Sequence, residues 1–474
     1  MSVQVNGPLL KDYDLIVIGS GPGGQKAAVC AAKQKKNVLV IEKQLVGGAC
    51  LHTGTIPSKA LREAALMRVD ADTLTSIMER TEHVIGDESI VIGSQLERNN
   101  IEYIHGTASF VGLHRIKIQS HEQVFETNAK FILIGTGTRP RHPAGVEFDD
   151  MNIFDSDTVL KMKIQPRKML VVGAGVIGCE YASIYARLGI SVCLADVRDQ
   201  LLPSIDHEIV AALIRQFEKD KIELLLGYDL KKLIKMKVRK HTELHVEMLN
   251  KKTNQVHVHQ FDAILYCAGR IGNVESLNLK SVAITPDDRG LIPINKNYQT
   301  SVPHIYAVGD VIGLPALAAS SAEQGRLATL HALNGKEVHF PETFPYGIYT
   351  IPEISSVGQQ EADLKKKGVE YVVGIAHYRE LARGKIINDE NGFLKLLVDA
   401  ESSKILGVHC IGTGATELIH IGQVAMAFYA TAQFFVDNVF NYPTLAEAYK
   451  VAALNAINKI SFRNEDFLCL IKPD

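Results

Sequence analysis

The sequence predicts an α/β fold in which one βαβ pattern is written twice, and three observations lead there. Tyr13-Asp14-Leu15-Ile16-Val17-Ile18 and Met169-Leu170-Val171-Val172 are short apolar runs of the kind that form buried parallel strands. Each feeds a glycine-rich turn, Gly19-Ser20-Gly21-Pro22-Gly23-Gly24 in the first and Gly173-Ala174-Gly175-Val176-Ile177-Gly178 in the second, which opens a helix-forming stretch. Each returns through a further apolar run, Asn37 to Ile41 or Val192 to Ala195, to an acid, Glu42 or Asp196, and both acids stand 23 positions beyond the first glycine of their turn. Such a duplication predicts two Rossmann-like dinucleotide-binding domains in one chain.

The turn chemistry follows from the spacing G-x-G-x-x-G at Gly19, Gly21 and Gly24 and again at Gly173, Gly175 and Gly178. Glycines let the backbone turn tightly and approach a pyrophosphate, whose charge meets a helix N-terminus, while the acid suits a ribose hydroxyl. Two dinucleotides on one polypeptide imply electron transfer between them.

Composition narrows the partners. A chain of 474 residues exceeds one core of ordinary size and suggests two to four domains. A formal net charge of −2 argues against nucleic acid or a membrane surface and favours small molecules. Seven cysteines (Cys30, Cys50, Cys179, Cys193, Cys267, Cys410, Cys469) are scattered and never spaced Cys-x-x-Cys, so neither a disulfide framework nor a metal site is expected. Residues Met1 to Leu10 lack the charged and apolar regions of a leader, and no eighteen apolar residues run together. These features predict a soluble, cytoplasmic protein.

Between and beyond the two units, each element has its own signal. Gly47-Gly48-Ala49-Cys50-Leu51-His52-Thr53-Gly54-Thr55-Ile56-Pro57-Ser58-Lys59 starts a helix that continues into amphipathic helical patterns from Ala60 to about Asn100. Lys130 to Ile134 reads as a strand running into the turn Gly135-Thr136-Gly137-Thr138-Arg139-Pro140, and Phe261 to Arg270 as a strand and turn that include Gly269. Ile305 to Asp310 ends a strand in Gly-Asp, with a helix beginning near Pro315, and the acid there suits either a hydroxyl-rich ligand or a helix N-cap. Pro341 to Pro345 marks a boundary, and Phe393 to Val398 reads as a strand beyond it. Residues 460–474 carry no legible signal.

Gly48, Cys50 and Pro57-Ser58-Lys59, taken with both glycine-rich units, resemble the flavoprotein disulfide reductases, whose redox segment reads Gly-Gly-x-Cys, four residues, Cys, x-Pro-Ser-Lys. The likeness runs from about Tyr13 to Lys459. It implies an FAD-binding domain over residues 1–157 and 286–341, an NAD(P)-binding domain over 158–285, and an α+β interface domain over 342–474 that forms a homodimer or higher homo-oligomer. FAD would lie against Gly19, Gly21, Gly24, Glu42, Gly48, Cys50, Thr55, Lys59, Gly137 and Asp310, with Asp310 on the ribityl chain. NAD or NADP would lie against Gly173, Gly175, Gly178, Glu180, Asp196, Arg198 and Gly269. The catalytic pair implied is Lys59, beside the flavin's reactive nitrogen, with Glu180 as its counter-charge; without the likeness, a surface lysine and an exposed glutamate would suffice.

The chain departs from the reductases at two places. Thr55 stands where the second cysteine belongs, so no disulfide can form with Cys50, which on its own reads as a small buried apolar residue. Tyr442-Pro443-Thr444-Leu445-Ala446-Glu447 stands where the family has His-Pro-Thr-x-x-Glu, and a phenol of pKa near 10 shuttles protons poorly at neutral pH. Both losses remove the same half-reaction. What remains resembles the transhydrogenase members of the family, soluble flavoproteins that move hydride between NADPH and NAD by ping-pong kinetics. The rival readings are an NAD(P)H diaphorase or oxidase, a dihydrolipoamide dehydrogenase, and an idle FAD-binding paralogue. Asp196 favours NAD and Arg198 suits a 2′-phosphate, unless the two only pair with each other on the surface.

Overall fold

The computed structural model describes residues 11–68, 73–121, 123–238 and 241–470. The chain falls into two compact units, Met1–Gln165 with Leu265–Phe340, and Pro166–Ile264 with Pro341–Asp474.

In the first unit, the alternation-free apolar runs form the centre of a parallel sheet in the order Glu102–His105, Val38–Glu42, Tyr13–Ile18, Val124–Ile134, with Ile305–Ala307 joined to the last. Leu15, Val17, Val38, Val40 and Leu133 point to one face, against Ala27, Ala28 and Ala31 of helix Pro22–Lys33 and Ala328 of helix Ala318–Asn334. Ile16, Ile18, Leu39, Ile132 and Ile134 fill the other face. Burial on both faces is why these strands read as continuous apolar runs. The amphipathic stretch resolves into helices Gly48–His52, Thr55–Leu66 and Leu74–Arg98.

The second unit repeats the pattern in a parallel sheet ordered Glu223–Leu226, Ser191–Asp196, Lys168–Val172, with Ala263–Tyr266 beside the last. Helix Val176–Arg187 follows the glycine turn and helix His207–Lys219 follows the acid. An antiparallel three-stranded sheet, Tyr228–Val238, His241–Asn250 and Gln255–Phe261, fills a stretch that carries no motif. Beyond Pro341 lies an antiparallel five-stranded sheet ordered Tyr346–Ile348, Ile354–Gly358, Ile405–Ile411, Phe393–Asp399, Tyr371–His377, packed on helices Ala415–Ala427 and Glu447–Leu470. The stretch that sequence leaves unread is helical as far as Leu470, and Met1 to Leu10, where a leader was sought, lies outside the described residues.

Two local expectations shift. The helix after Gly-Asp starts at Ala318 instead of near Pro315, because Leu317 takes the extended N-cap conformation. Asp310 caps no helix: it sits inside the single turn Gly309–Ile312, whose N-cap is Val308.

Candidate functional site

In the first unit the carboxyl ends of the parallel strands are tied together by backbone bonds, Gly19 N to Ile41 O at 2.8 Å, Gly135 N to Ile18 O at 2.8 Å and Val308 N to Ile134 O at 3.0 Å. Gly19 takes φ +102°, a region that L side chains avoid, and a Cβ there would lie 2.3 Å from Gly135 O. A Cβ on Gly24 would lie 1.9 Å from Gly19 O, so helix Pro22–Lys33 can close on the turn only as glycine. Gly21 between them faces open space, with nothing within 4 Å of an added Cβ. Pro22 at the start of the helix and a first turn without acids leave its N-terminal dipole to an anion.

Ser20 links this turn to its neighbours. Its N–H and its hydroxyl each donate to Glu42 Oε2 at 2.8 Å, and Gly47 N donates to Ser20 Oγ at 3.1 Å. Gln44 N donates to Glu42 Oε1 at 2.8 Å. A carboxylate accepts about four hydrogen bonds, so Glu42 both braces the turn and keeps capacity for a ribose hydroxyl. Gly48, at φ +62°, opens helix Gly48–His52 against Gly21, whose Cα would lie 3.2 Å from an added Cβ.

Cys50 and Thr55 meet in this segment. Burial pushes the Cys50 thiol up, the Thr55 side chain offsets this only in part by hydrogen bonding, and Asp310 and Lys59 act on it more weakly by charge. Such a cysteine is a thiol at neutral pH and a poor nucleophile. Lys59, one helical turn beyond Thr55, donates from Nζ to Ser58 Oγ at 3.3 Å.

Gly137 and Gly269, separated widely in sequence, both flank one short antiparallel ribbon, Thr138–Pro140 with Arg270–Gly272. Both face open space, at φ +64° and +95°. Arg270 anchors the ribbon, donating to Thr138 Oγ1 at 2.9 Å, Thr138 O at 2.8 Å and Asp157 Oδ1 at 2.8 Å. Beside it, Thr138 Oγ1 donates to Asp310 Oδ2 at a long 3.5 Å. Burial pushes the Asp310 carboxyl up, and the charge of Arg270 and the Thr138 bond offset part of that. Thr136 Oγ1 is buried without a hydrogen-bond partner. A poorly solvated carboxylate, an orphaned hydroxyl and the open glycines Gly21 and Gly137 fit a polyhydroxylated, pyrophosphate-bearing ligand such as FAD.

The second unit repeats the turn. Gly173 takes φ +110°, a Cβ on Gly178 would lie 1.8 Å from Gly173 O, and Gly175 faces open space. Ala174 N donates to Asp196 Oδ2 at 2.6 Å, as Ser20 N does to Glu42. Arg198 grips the same carboxylate from Nε to Oδ1 at 3.0 Å and from Nη2 to Oδ2 at 2.7 Å, with its own N–H adding 2.8 Å to Oδ1. Burial pushes Asp196 up, but these bonds outweigh it and hold the carboxyl below the usual range. The two residues therefore form one element: Asp196 is buried and Arg198 is 47% exposed. Glu180, 4% exposed on helix Val176–Arg187, accepts from Tyr349 N at 2.8 Å. Tyr442 is 69% exposed.

Residues 13–325 match the pyridine nucleotide-disulphide oxidoreductases and residues 344–453 match that family's dimerisation domain. The chain belongs to the pyridine nucleotide-disulphide oxidoreductase family. Within this family it is similar to the soluble pyridine nucleotide transhydrogenase of Mycobacterium tuberculosis (strain ATCC 25177 / H37Ra), 44% identical over 476 residues that cover 96% of this chain and 99% of the relative. The enzyme of the same name from Klebsiella pneumoniae subsp. pneumoniae is 41% identical over 469 residues, covering 95% and 99%. Among solved structures, LpdA from Mycobacterium tuberculosis superposes with a TM-score of 0.84 at 26% identity, covering 93% of this chain and 99% of that one. The HOCl-induced flavoprotein disulfide reductase RclA from Escherichia coli does so with a TM-score of 0.85 at 24% identity, covering 93% and 99%, a likeness of fold. Like other members of this oxidoreductase family, the chain is an enzyme, and its relatives place it with the soluble transhydrogenases.

Sequence reasoning passed over Ser20, Arg270 and Gln324, whose side chain accepts from Gly309 N at 2.8 Å. Ser20 lay inside the motif as a variable position, and only its bonds to Glu42 and Gly47 distinguish it. Arg270 and Gln324 had no local signal, because each acts on groups that only the fold brings near.

Proposed function

We propose that this family member moves hydride between NADPH and NAD through a bound FAD, without a redox disulfide. Thr55 against Cys50 is the observation that carries this reading. The place of the second thiol holds a hydroxyl, and the thiol that remains is held protonated by burial. A pair of this kind can neither form nor exchange a disulfide. The 40–44% identity to soluble transhydrogenases over nearly the full chain supports the same conclusion.

The residues divide the work. Gly19, Gly21, Gly24 and the N-terminus of helix Pro22–Lys33 receive the FAD pyrophosphate, Glu42 its adenosine ribose, and Asp310 its ribityl hydroxyls; Gly48, Cys50, Thr55 and Gly137 line the same ligand. A flavin held by these residues would supply the hydride acceptor and donor between two nicotinamides. Lys59 supplies a fixed positive charge that favours the reduced flavin, and Glu180, on the helix after the second glycine turn, belongs to the nicotinamide side. Gly173, Gly175, Gly178 and Gly269 receive the nicotinamide nucleotide, and Asp196 with Arg198 reads its 2′ position. Tyr442, in place of a histidine, withholds the proton shuttle that a disulfide substrate needs. The protein works as a cytoplasmic homodimer, with exposed Phe428, Tyr429 and Val439 in the region of the dimerisation domain available to the contact. Among the described residues no helix is long and apolar enough to cross a membrane.

Stopped-flow absorbance tests the reaction: NADH and NADPH are each mixed with the yellow protein, and the bleached flavin is then offered NAD, oxygen, lipoamide or a quinone. Fast reoxidation by NAD is expected. Faster reoxidation by oxygen or quinone would make the enzyme an oxidase or diaphorase, and fast turnover of lipoamide would restore the disulfide reductase reading.

A further inference from the structure

Asp196 and Arg198 begin a segment that returns to the second unit's core before helix His207–Lys219 starts. Leu201, Leu202 and Ile205 are buried along it, Leu202 N donates to Ala174 O at 3.3 Å, and Arg198 O accepts from Gly227 N at 2.8 Å. Its far end is Asp206, whose Oδ1 caps the helix by accepting from Glu208 N at 3.0 Å and Ile209 N at 3.4 Å.

That far end is held from the sheet beyond Pro341. Lys395, 0% exposed in strand Phe393–Asp399, donates from Nζ to Asp206 Oδ2 at 2.9 Å, to Glu208 Oε2 at 2.6 Å and to Glu361 Oε1. Glu361 Oε2 accepts from Tyr371 Oη at 2.6 Å, and the neighbouring Gln360 donates from Nε2 to Ser204 O at 2.5 Å. Burial by itself would push the Lys395 ammonium down, yet the carboxylates carry it above its ordinary range, and Lys395 with Tyr371 holds Glu361 down at about 2 despite burial. Lys395 and Glu361 are therefore both charged at neutral pH. Asp206, His207 and Glu361 could offer a metal ion atoms within 4.8 Å of one another, but the ammonium already lies against both carboxylates.

An ammonium in this position carries a desolvation cost that only complete pairing offsets. Its partners are the cap and first turn of the helix that ends the nucleotide-reading segment. We propose that Lys395 is a positioning residue for nucleotide selection: by holding Asp206, with Gln360 holding Ser204, it sets the path of residues 197–206 and so presents Arg198 to the 2′ position. The proposal rests on the reading of the second glycine turn as the NAD(P) site.

Calorimetric dissociation constants for NAD and NADP, measured on the purified flavoprotein with flavin content and thermal midpoint recorded beside them, test it. Lys395→Met and Gln360→Ala are each made alone and with Arg198→Ala. With Arg198 present, Lys395→Met is expected to change the NADP to NAD affinity ratio by about fivefold, a size usual for residues acting through a neighbour, and Gln360→Ala to change it less in the same direction. In the Arg198→Ala background both effects on the ratio should vanish, whereas a merely structural role gives equal losses in both backgrounds. Should Lys395→Met not fold, Gln360→Ala carries the same comparison. An unchanged ratio in folded variants that bind both nucleotides overturns the inference. Failure of the wild-type protein to bind either nucleotide overturns the NAD(P) reading and takes the inference with it.

Discussion

Replacing Arg198 by alanine should turn the enzyme toward NADH. Two effects act in one direction. The variant loses a guanidinium that can meet a 2′-phosphate, a charge-assisted contact worth about 1.5–3 kcal/mol. It also frees Asp196, whose Oδ1 and Oδ2 now accept from Arg198 at 3.0 and 2.7 Å, to accept a ribose 2′-hydroxyl and to repel a phosphate. Because Arg198 is 47% exposed, water screens the contact to just below that range, about 1.4 kcal/mol or tenfold in the ratio of kcat/KM for NADPH to NADH. Asp196→Asn should move the ratio the other way, since it removes the repelling charge and leaves the turn bond from Ala174 an oxygen to use. The assay is steady-state kcat/KM for both nucleotides in the wild type and both variants, read as differences in transition-state free energy. A change of less than about twofold, roughly 0.4 kcal/mol, for Arg198→Ala would show that neither Arg198 nor the carboxylate it covers reads the 2′ position and that another basic residue reads the phosphate.

Cys50→Ala should leave transhydrogenation within about tenfold of wild type, because the thiol, half-buried instead of fully buried as its sequence suggests, lies outside the electron path; a larger loss with FAD still bound contradicts that assignment. Thr55→Cys should form a disulfide with Cys50, given the side-chain contact between them, yet reduce lipoamide poorly for want of a base at Tyr442; thiol titration and a lipoamide assay give the two answers. Gly24→Ala places a methyl 1.9 Å from Gly19 O, so it should lower flavin content per protomer and cost about 1–3 kcal/mol of stability, measured by absorbance and denaturant unfolding. Glu361 has its folded pKa depressed to about 2 from an ordinary 4.5, so its contribution to stability is complete above pH 4.5 and is lost as pH falls toward 2. Glu361→Gln should therefore be less stable than wild type at neutral pH, with the difference narrowing across that acid window in pH-dependent denaturant midpoints.

The sequence by itself determined the elements whose signals are local. A strand, a glycine turn, a helix and an acid 23 positions on are each written in adjacent residues, because steric freedom at Gly19 and Gly173 and burial of both sheet faces act on the nearest neighbours in the chain. The missing thiol at Thr55 and the tyrosine at 442 were equally legible, since a substitution at a motif position needs no fold to be noticed. Only the tertiary structure could decide what depends on distant chain segments meeting. It paired the strand after Gly137 with the strand after Gly269 in the Arg270 ribbon, removed Asp310 from any helix cap, and turned Asp196 and Arg198 from alternatives into one bidentate pair. It alone put Lys395, an unremarked charge in an apolar strand, against Asp206, which lies 189 positions away in sequence. The physical reason is that a buried charge is tolerated only where its partners converge, and that convergence is a property of packing, which no local pattern records.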